Sequence, residues 1–403
     1  MHTALPLRLA YFSPLPPSRS GIADYSRALL PYLAQESEVT LFAENPKVVG
    51  GELKSSFEIR PLSDYPDGRW EFDLALYQMG NSSHHDAIYE TALRYPGVVV
   101  LHDHGLHHFI SGRTAGRDNY PAYIREMGYE LGLEGVKLAW DIRERRAEHP
   151  LFEVPLNKRL VERSLGLIVH SQIVADMLAR QTTARPLRII PALMEKRTGR
   201  PRREALNLSP DTVIFASLGL VTAEKRLDLA LTAFSQLRRE IPNSHFLIVG
   251  DAHEKVDVPE MIGRLGLEEA VTHLGFVEDL ESFVDWIATA DIIINLRHPT
   301  VGESSATALR AMAAGKPVIV FDLGWYSELP EGAVVKVRPL DSEGLLPAMR
   351  QLAQRPELRK QMGETAAAHI EQRHDPARVA QQYLAFAGEV LAGLKRKFGV
   401  GHG

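Results

Sequence analysis

Short apolar runs rich in β-branched residues alternate along this chain with longer segments in which apolar residues recur every three or four positions. The runs predict strands, and the longer segments predict amphipathic helices. Strands are predicted at residues 7–12, 39–42, 72–77, 98–101, 167–170, 213–217, 245–249, 271–274, 291–295 and 317–321. Helices are predicted between them at residues 22–33, 85–94, 172–180, 227–239, 280–290 and 304–314. This alternation is typical of parallel α/β sheets.

The pattern runs twice, which predicts two Rossmann-like domains whose parallel sheets face each other across a cleft. A length of 403 residues agrees with two or three domains, at about 150 residues for each domain. The first domain is predicted at residues 1–191, with a helical insertion at about 111–150 that contains no strand. The second is predicted at 192–375, and it begins in a linker at 193–209. The last residues, 376–403, are predicted to form a helix that returns to the first domain.

Composition and charge narrow the classes of function. The chain has no cysteine, which excludes disulfides, thiolate metal sites and thiol nucleophiles. Its formal net charge of −5 is small for this length, so no nucleic-acid partner is predicted. The first residues lack the apolar run of a signal peptide, and no apolar stretch is long enough to span a membrane. A soluble, cytoplasmic protein is expected, and any membrane contact would be peripheral, at the inner face.

The first candidate site is the turn at residues 18–26, which follows the first predicted strand and opens the first helix. Gly21 would let a ligand approach the backbone, and the start of the helix offers N–H groups and partial positive charge to a phosphate. The turn does not have the G-x-G-x-x-G pattern, so a nicotinamide cofactor loses its usual support. A plain strand-to-helix turn with an N-cap explains these residues equally well.

The second candidate site, residues 102–108, carries four histidines and one aspartate directly after a strand. Loops at the carboxyl ends of strands bind ligands in open α/β sheets. These side chains could ligate a metal, as in the metal-dependent hydrolases built on β/α barrels, but eight repeated βα units are missing here. Alternatively, His107 and His108 are exposed loop residues. His102 lies at the end of the strand, where its side chain points into the crevice or packs below it.

A third loop, residues 217–226, carries Gly219 and two adjacent cations, Lys225 and Arg226. Cations at the carboxyl end of a strand suit an anionic leaving group such as a diphosphate. The alternative is the solvated basic start of a helix. That alternative is less favoured, because cations at a helix N-terminus oppose the helix dipole.

A fourth loop, residues 295–307, again follows a strand, and Ser304 is predicted to open the next helix. The carboxylate of Glu303 and the N–H groups at this helix start can hydrogen-bond the hydroxyls of a sugar or a ribose. Alternatively, Glu303 only complements the helix dipole. Together the four loops predict one ligand cleft lined by both domains.

Several segments also match the motifs of one enzyme family. They are Gly21 to Ser26, His102-Asp103, residues 167–171, Gly219 through Lys225 to Asp228, and residues 273–277, 288–292 and 311–319. On these segments the chain resembles, over nearly its whole length, the retaining GT-B glycosyltransferases called family 4, or glycosyl transferases group 1. The string Ala-Met-Ala-Ala-Gly-Lys-Pro-Val-Ile at 311–319 is the most specific single match.

The resemblance implies a role for each matched residue. Gly21 would lie near the diphosphate of the donor, and His102 would contact the donor sugar. Gly219 and Lys225 belong to the segment that holds the diphosphate. The turn that contains Gly275 and Phe276 would read the nucleobase through its backbone.

The chain departs from the family pattern at two places. The family arginine after the glycine is Leu220 here, so Lys225, aided by Arg226, is expected to carry the phosphate charge. The family's pair of glutamates falls on Gly302 and Arg310, which leaves the usual carboxylate to the ribose missing.

Glu303 is displaced by one position from the first of these glutamates. The stretch resembles a subgroup with the sequence Gly-Glu-Ser-Ser. This resemblance implies that Glu303 and the backbone amides of Ser304 and Ser305 hold the donor sugar.

The resemblance therefore implies a hexosyltransferase-type glycosyltransferase. It would move a sugar, with retention of anomeric configuration, from a nucleotide-sugar donor to a hydroxyl of a glycan, a lipid-linked or a small-molecule acceptor. The catalytic residues would be His102, Lys225 and Glu303. The donor-binding residues would be Gly21, Gly219, Arg226, Gly275, Phe276, Gly302, Ser304, Ser305 and Arg310.

Neither a cofactor nor a metal is expected, because the nucleotide sugar is a co-substrate. A sugar-nucleotide epimerase or a sugar phosphorylase on the same fold remains an alternative. A catalytically lapsed subunit that only binds sugar nucleotides is a second one.

Overall fold

A computed structural model of the chain describes residues 6–181 and 185–398. Its strands are β1 Leu7–Phe12, β2 Ser37–Ala43, β3 Glu58–Pro61, β4 Leu74–Met79, β5 Val98–Leu101, β6 Gly166–Val169, β7 Leu187–Ile189, β8 Val213–Leu218, β9 Ser244–Val249, β10 Val271–His273, β11 Ile292–Ile294, β12 Val318–Phe321 and β13 Val334–Val337.

The helices alternate with these strands. They are α1 Gly21–Leu33, α2 Gly51–Ser56, α3 Tyr65–Gly68, α4 Asp86–Arg94, α5 His107–Arg113, α6 Tyr120–Leu131, α7 Leu133–Arg143, α8 Lys158–Arg163, α9 Gln172–Gln181, α10 Leu227–Glu240, α11 Val258–Arg264, α12 Leu280–Thr289, α13 Ala306–Ala313, α14 Ser342–Gln354, α15 Pro356–Arg373 and α16 Pro376–Phe398. No helix within the described ranges is both long and apolar enough to cross a lipid bilayer.

The described residues divide into two compact units. Unit 1 contains those of Met1–Leu193, Val301–Ser304 and Pro376–Gly403. Unit 2 contains Met194–Thr300 and Ser305–Asp375. The domain boundary predicted from the sequence, 191–192, lies two residues before the boundary in the structure. The sequence pattern did not indicate that residues 301–304 belong to unit 1.

The sheet of unit 1 has seven parallel strands in the order β3-β2-β1-β4-β5-β6-β7. Successive strand residues point to opposite faces, so each face has its own apolar core. Ala10 and Phe12 join the core beneath the helices that follow β4 and β5. Leu9 and Tyr11 join the core that includes α1 and α16. The result is a sheet between two layers of helices.

The sheet of unit 2 has six parallel strands in the order β10-β9-β8-β11-β12-β13. Phe215 and Ile292 lie in the core that α10 and α14 cover. In both sheets the strand order reverses beside the first strand, as in Rossmann folds. The predicted fold class of two Rossmann-like parallel-sheet domains is confirmed.

Three strands were not predicted from the sequence, and all three are edge strands. The residues of β3, β7 and β13 are largely half-buried or exposed. A half-buried edge strand lacks the continuous apolar run that predicted the central strands. The helix expected at 304–314 also begins later, at Ala306, because the Ser305 side chain caps it by accepting from the N–H of Ala308.

The predicted linker at 193–209 is held against unit 2 rather than loose. Arg202 forms an ion pair with Asp285 of α12 at 2.6 Å. Arg203 forms one with Asp291 at 3.2 Å, and it also donates to the carbonyl oxygen of Thr212. The arginines that suggested a polar linker therefore anchor this segment.

The last helix, α16, belongs to the core of unit 1. Its buried residues include Val379, Tyr383, Phe386 and Val390, which recur at helical spacing and pack in the same core as α1. The hydroxyls of Tyr25 and Tyr383 lie 2.7 Å apart, and the backbone of Leu193 also bonds the Tyr25 hydroxyl. This bond links the first and last helices of the unit.

Removal of this bond should destabilise the protein. Tyr383→Phe should lower the free energy of unfolding by about 1 kcal/mol, and Tyr25→Phe, which loses two partners, by about 1–3 kcal/mol. The double variant should cost less than the sum, because the two hydroxyls share one bond. Tyr32→Phe is the control, since no hydrogen bond to that hydroxyl is found in the described residues. Urea unfolding measures the free energy of unfolding of these four variants. Losses that add up in the double variant would contradict the coupling of the two hydroxyls.

Candidate active site

The loop after β8 holds a cation in a constrained position, Lys225. Gly219 has φ of +89°, a conformation that L side chains rarely adopt. Lys225 ends a short 3₁₀ turn, Ala223–Lys225, and its Nζ donates to the Leu218 carbonyl oxygen at 2.6 Å. A Cβ added to Gly219 would lie 2.8 Å from this Nζ. The glycine thus supplies both the turn and the room for the ammonium group.

Burial of Lys225, followed by repulsion from Arg297, lowers the pKa of its ammonium group from 10.5 to about 7. Its hydrogen-bond acceptor is a neutral carbonyl. An anion that bound here would offset both the lost hydration and the repulsion. The site is therefore suited to a phosphate group.

Arg226, the second predicted cation, is engaged elsewhere. It has φ of +49°, just before α10. Its Nε and Nη2 donate to the two carboxylate oxygens of Asp228 at 3.0 and 2.7 Å. Its predicted role as the aid to Lys225 stays a prediction.

The loop after β11 lies beside the Lys225 loop, because β11 pairs with β8. The N–H of His298 donates to the carbonyl oxygen of Glu224 at 2.8 Å, which ties the two loops together. The hydroxyls of Ser305 and Tyr326 donate to Asn295 Oδ1 at 3.1 and 2.8 Å. Ser305 is thereby fixed as the cap of α13.

Two further residues of α13 bear on the site. A Cβ on Gly219 would lie 3.5 Å from Thr307 Oγ1, so Thr307 borders the Lys225 loop. Arg310, which was predicted to bind the donor, lies one turn further along the helix and is half-buried. Arg297 and Thr307 lie in the fourth candidate loop, residues 295–307, but neither was predicted as a donor-binding or catalytic residue.

The turn predicted to read the nucleobase follows β10. Gly275 has φ of +69°, and its carbonyl oxygen accepts from the N–H of Gly250 at 2.7 Å. His273 Nε2 donates to the carbonyl oxygen of Gly250 at 2.8 Å. Phe276 is 47% exposed. The turn is thus fixed by its backbone while one aromatic ring stays accessible.

The residues Val301–Ser304 form a short strap that belongs to unit 1. The N–H of Gly105 donates to the Val301 carbonyl oxygen at 2.9 Å, and Glu303 Oε2 accepts from the N–H of Val301 at 2.9 Å. Gly302 has φ of +82°, and a Cβ there would lie 2.8 Å from His104 Cβ. The predicted Gly-Glu-Ser-Ser motif is therefore divided, because its last serine lies in unit 2.

His102 lies in a hydrogen-bonded chain inside unit 1. Its Nδ1 is 3.1 Å from His170 Nε2, and His170 Nδ1 is 2.8 Å from the Ile190 carbonyl oxygen. Burial lowers the pKa of both rings, to about 4 for His170. With neutral rings, His170 donates to Ile190 and accepts from His102.

The second ring nitrogen of His102, Nε2, lies 2.7 Å from Oε1 of the Gln78 side-chain amide. A neutral His102 that donates through Nδ1 can accept there only from the amide nitrogen of a rotated Gln78 side chain. Both ring nitrogens are then in use inside the unit. His102 is held firmly in place, and its contact with the donor sugar stays a prediction.

The turn at Gly21 is built as predicted, at the start of α1. The Ser20 side chain accepts from the N–H of Ile22 at 3.3 Å. A Cβ added to Gly21 would meet no atom within 4 Å. Nothing in the fold itself therefore requires glycine at this position.

The other histidines after β5 are also used by the fold. His107 bonds the Val154 carbonyl oxygen and the Tyr123 hydroxyl, each at 2.8 Å. The amide of Asn157 donates to the His104 carbonyl oxygen at 2.7 Å. In the part of the chain that the structure describes, no group of three His, Asp or Glu side chains is arranged to hold a metal ion.

Comparison with known proteins finds a match in the second half of the chain. Residues 200–369 match the model of the family glycosyl transferases group 1, and nearly all of them lie in unit 2. The α-D-kanosaminyltransferase of Streptomyces kanamyceticus is 28% identical over 193 residues, which are 47% of each chain. The chain thus spans about half the length of this curated relative.

Solved structures show the GT-B fold over nearly the whole chain. The Anabaena protein HepE in complex with UDP has a TM-score of 0.66 at 17% identity, covering 95% of this chain and all of HepE. Sucrose-phosphate synthase of Thermosynechococcus elongatus has a TM-score of 0.67 at 17% identity, covering 96% of this chain and all of the synthase. The predicted GT-B fold is confirmed.

Two glycine substitutions distinguish a glycine that the fold requires from one that only a ligand would require. Gly219→Ala should lower the free energy of unfolding by about 1 kcal/mol, because φ is positive there, and should displace Lys225 from its carbonyl. Gly21→Ala should leave stability unchanged or raise it by about 0.4–1 kcal/mol. Thermal unfolding measures both effects.

The Gly21→Ala variant also tests whether a ligand approaches the backbone of Gly21, through its affinity for a nucleoside diphosphate. A loss of diphosphate binding in Gly21→Ala, with stability intact, would show that a ligand comes close to this backbone. Undiminished binding would remove Gly21 from the site.

Proposed function

We propose that this protein is a glycosyltransferase that moves a sugar from a nucleoside-diphosphate donor to an acceptor hydroxyl, with retention of anomeric configuration and without a metal. The observation that carries the proposal is the ammonium group of Lys225, buried beneath Gly219 at the carboxyl end of β8. The glycosyl transferases group 1 domain and the UDP complex of HepE support the same activity.

In this proposal Lys225 stabilises the departing diphosphate. The bond between the anomeric carbon and the diphosphate oxygen breaks, and a bond to the acceptor oxygen forms. Negative charge on the diphosphate grows during this step, so a desolvated cation binds the transition state more strongly than the donor. The start of α13, capped by Ser305, adds N–H groups near the same loop.

Unit 1 would contribute to sugar and acceptor binding. The strap holds the Glu303 carboxylate on the N–H of Val301, and a carboxylate can also accept from a sugar hydroxyl. Ser304 offers a backbone amide, and His102 would keep the sugar in position. We propose a hydroxyl of a glycan, a lipid-linked or a small-molecule acceptor as the second substrate.

Turnover by a Lys225 variant tests the proposal. Lys225→Met keeps the length of the side chain but removes its charge, and it should lower kcat by about 10²- to 10³-fold. Lys255→Met, an exposed lysine of the same unit, is the control. The assay follows nucleoside diphosphate released from UDP-, GDP- and ADP-sugars, and NMR reads the anomeric configuration of the product.

The acceptor decides between the related activities. Release of diphosphate only when an acceptor is supplied supports a transferase. Donor isomerisation without release would indicate an epimerase, and a need for free phosphate would indicate a phosphorylase. Turnover unchanged in Lys225→Met would remove Lys225 from the mechanism.

The pKa of Lys225 gives the site a pH dependence. In the free protein the ammonium group loses its proton as pH rises through about 7. The diphosphate binds the protonated form, so affinity for a nucleoside diphosphate should fall above pH 7, by up to about tenfold for each pH unit. Below pH 7 the affinity should level off until the phosphate itself is protonated, near about pH 6. Calorimetric titration from pH 6 to 9 measures this profile, and the profile of Lys225→Met should be flat above pH 7.

A further inference from the structure

Arg297 lies next to Lys225 because two neighbouring strands end side by side. β8 and β11 are parallel partners, with Ile292 opposite Phe215 and Ile293 opposite Ala216. Gly219 follows the last residue of β8, and Arg297 follows three residues after the end of β11. The carboxyl ends of adjacent parallel strands share one edge of the sheet, where ligands bind in this fold.

The position of Arg297 is fixed on both sides. Before it, Asn295 is buried and accepts hydrogen bonds from Ser305 and Tyr326. After it, the N–H of His298 donates to the Glu224 carbonyl oxygen, one residue from Lys225. Arg297 itself is half-buried, so its charge acts through a medium less polar than water.

The residues around Lys225 differ in charge. Arg226 is paired through its Nε and Nη2 with Asp228. Leu220, which directly follows Gly219, is 53% exposed and carries no charge. Lys225 donates to a neutral carbonyl, and the charge of Arg297 is close enough to disfavour the ammonium form. Two like charges held together raise the local positive potential, which a polyanion would relieve.

We propose that Arg297, rather than Arg226, is the second cation that binds the diphosphate of the donor. The proposal rests on the proposed glycosyltransferase function and assigns this site a cation that the sequence motifs did not identify. A guanidinium group can hold two phosphate oxygens at once, whereas the ammonium group of Lys225 acts as a point charge. The pair therefore suits a diphosphate better than a single phosphate or an uncharged ligand.

The experiment compares ligands that share a base and differ in phosphate. Calorimetry measures the binding of UDP and uridine to the full chain, and then of the GDP–guanosine and ADP–adenosine pairs. Arg297→Gln should weaken binding of the nucleoside diphosphate by about 10- to 100-fold, the range for a hydrogen bond to a charged group. Binding of the matching nucleoside should change by less than about twofold, because it lacks the phosphates that the side chain contacts.

Two further variants complete the test. Arg264→Gln, an exposed arginine on α11, is the matched control for loss of one positive charge. Arg226→Gln represents the competing assignment. If Arg226→Gln weakens diphosphate binding and Arg297→Gln does not, the proposal is overturned.

Failure of this proposal can be told apart from failure of the proposed function. If the unaltered protein binds none of the three nucleoside diphosphates, the proposed function fails, and this inference fails with it. If it binds one of them and Arg297→Gln binds it equally well, only the inference fails. Thermal unfolding checks that each variant is folded. If Arg297→Gln does not fold, Arg297→Met replaces it, because methionine keeps most of the aliphatic stem. The same results then support or overturn the proposal.

Discussion

The burial of one ammonium group constrains the site in unit 2. Lys225 is held by a neutral carbonyl at 2.6 Å and repelled by Arg297, so its charged form is disfavoured when no anion is bound. This arrangement is possible only because Gly219 has no side chain and can adopt a positive φ. Such a cation contributes little to the stability of the fold, since desolvation outweighs its single hydrogen bond. Its location at the carboxyl end of a central strand agrees instead with the anionic ligand that we propose.

The central strands could be predicted from the sequence, and three of the four edge strands could not. Every residue of β5 and β12 is buried and apolar, so both strands form continuous apolar runs. In contrast, β3 and β7 each have only one neighbouring strand and contain residues that face solvent. Their sequences resemble loops for this reason. The helical insertion was predicted because α6 buries Tyr123 and Met127, four residues apart, on one face.

The parts of the site that lie within a single loop could be predicted from the sequence. Gly219 and Lys225 lie in one strand-to-helix loop, so their proximity follows from the chain itself. Arg297 comes after three further strands, and only the pairing of β11 with β8 brings it beside Lys225. Arg226 was predicted instead because it adjoins Lys225 in sequence. Its left-handed backbone and its ion pair with Asp228, two positions away, are local features that the sequence pattern did not indicate.

The Gly-Glu-Ser-Ser motif shows that contiguous residues need not act as one structural element. The chain enters the strap at Val301, where Gly105 and Gly302 allow backbones to approach closely, and leaves it at Ser304. The position of Glu303 therefore depends on the loop after β5, whereas that of Ser305 depends on Asn295 and α13. A change in the β5 loop would alter the carboxylate without altering the helix cap. In the proposed function, diphosphate binding and sugar binding thus have separate structural supports, so a substitution can impair either one without the other.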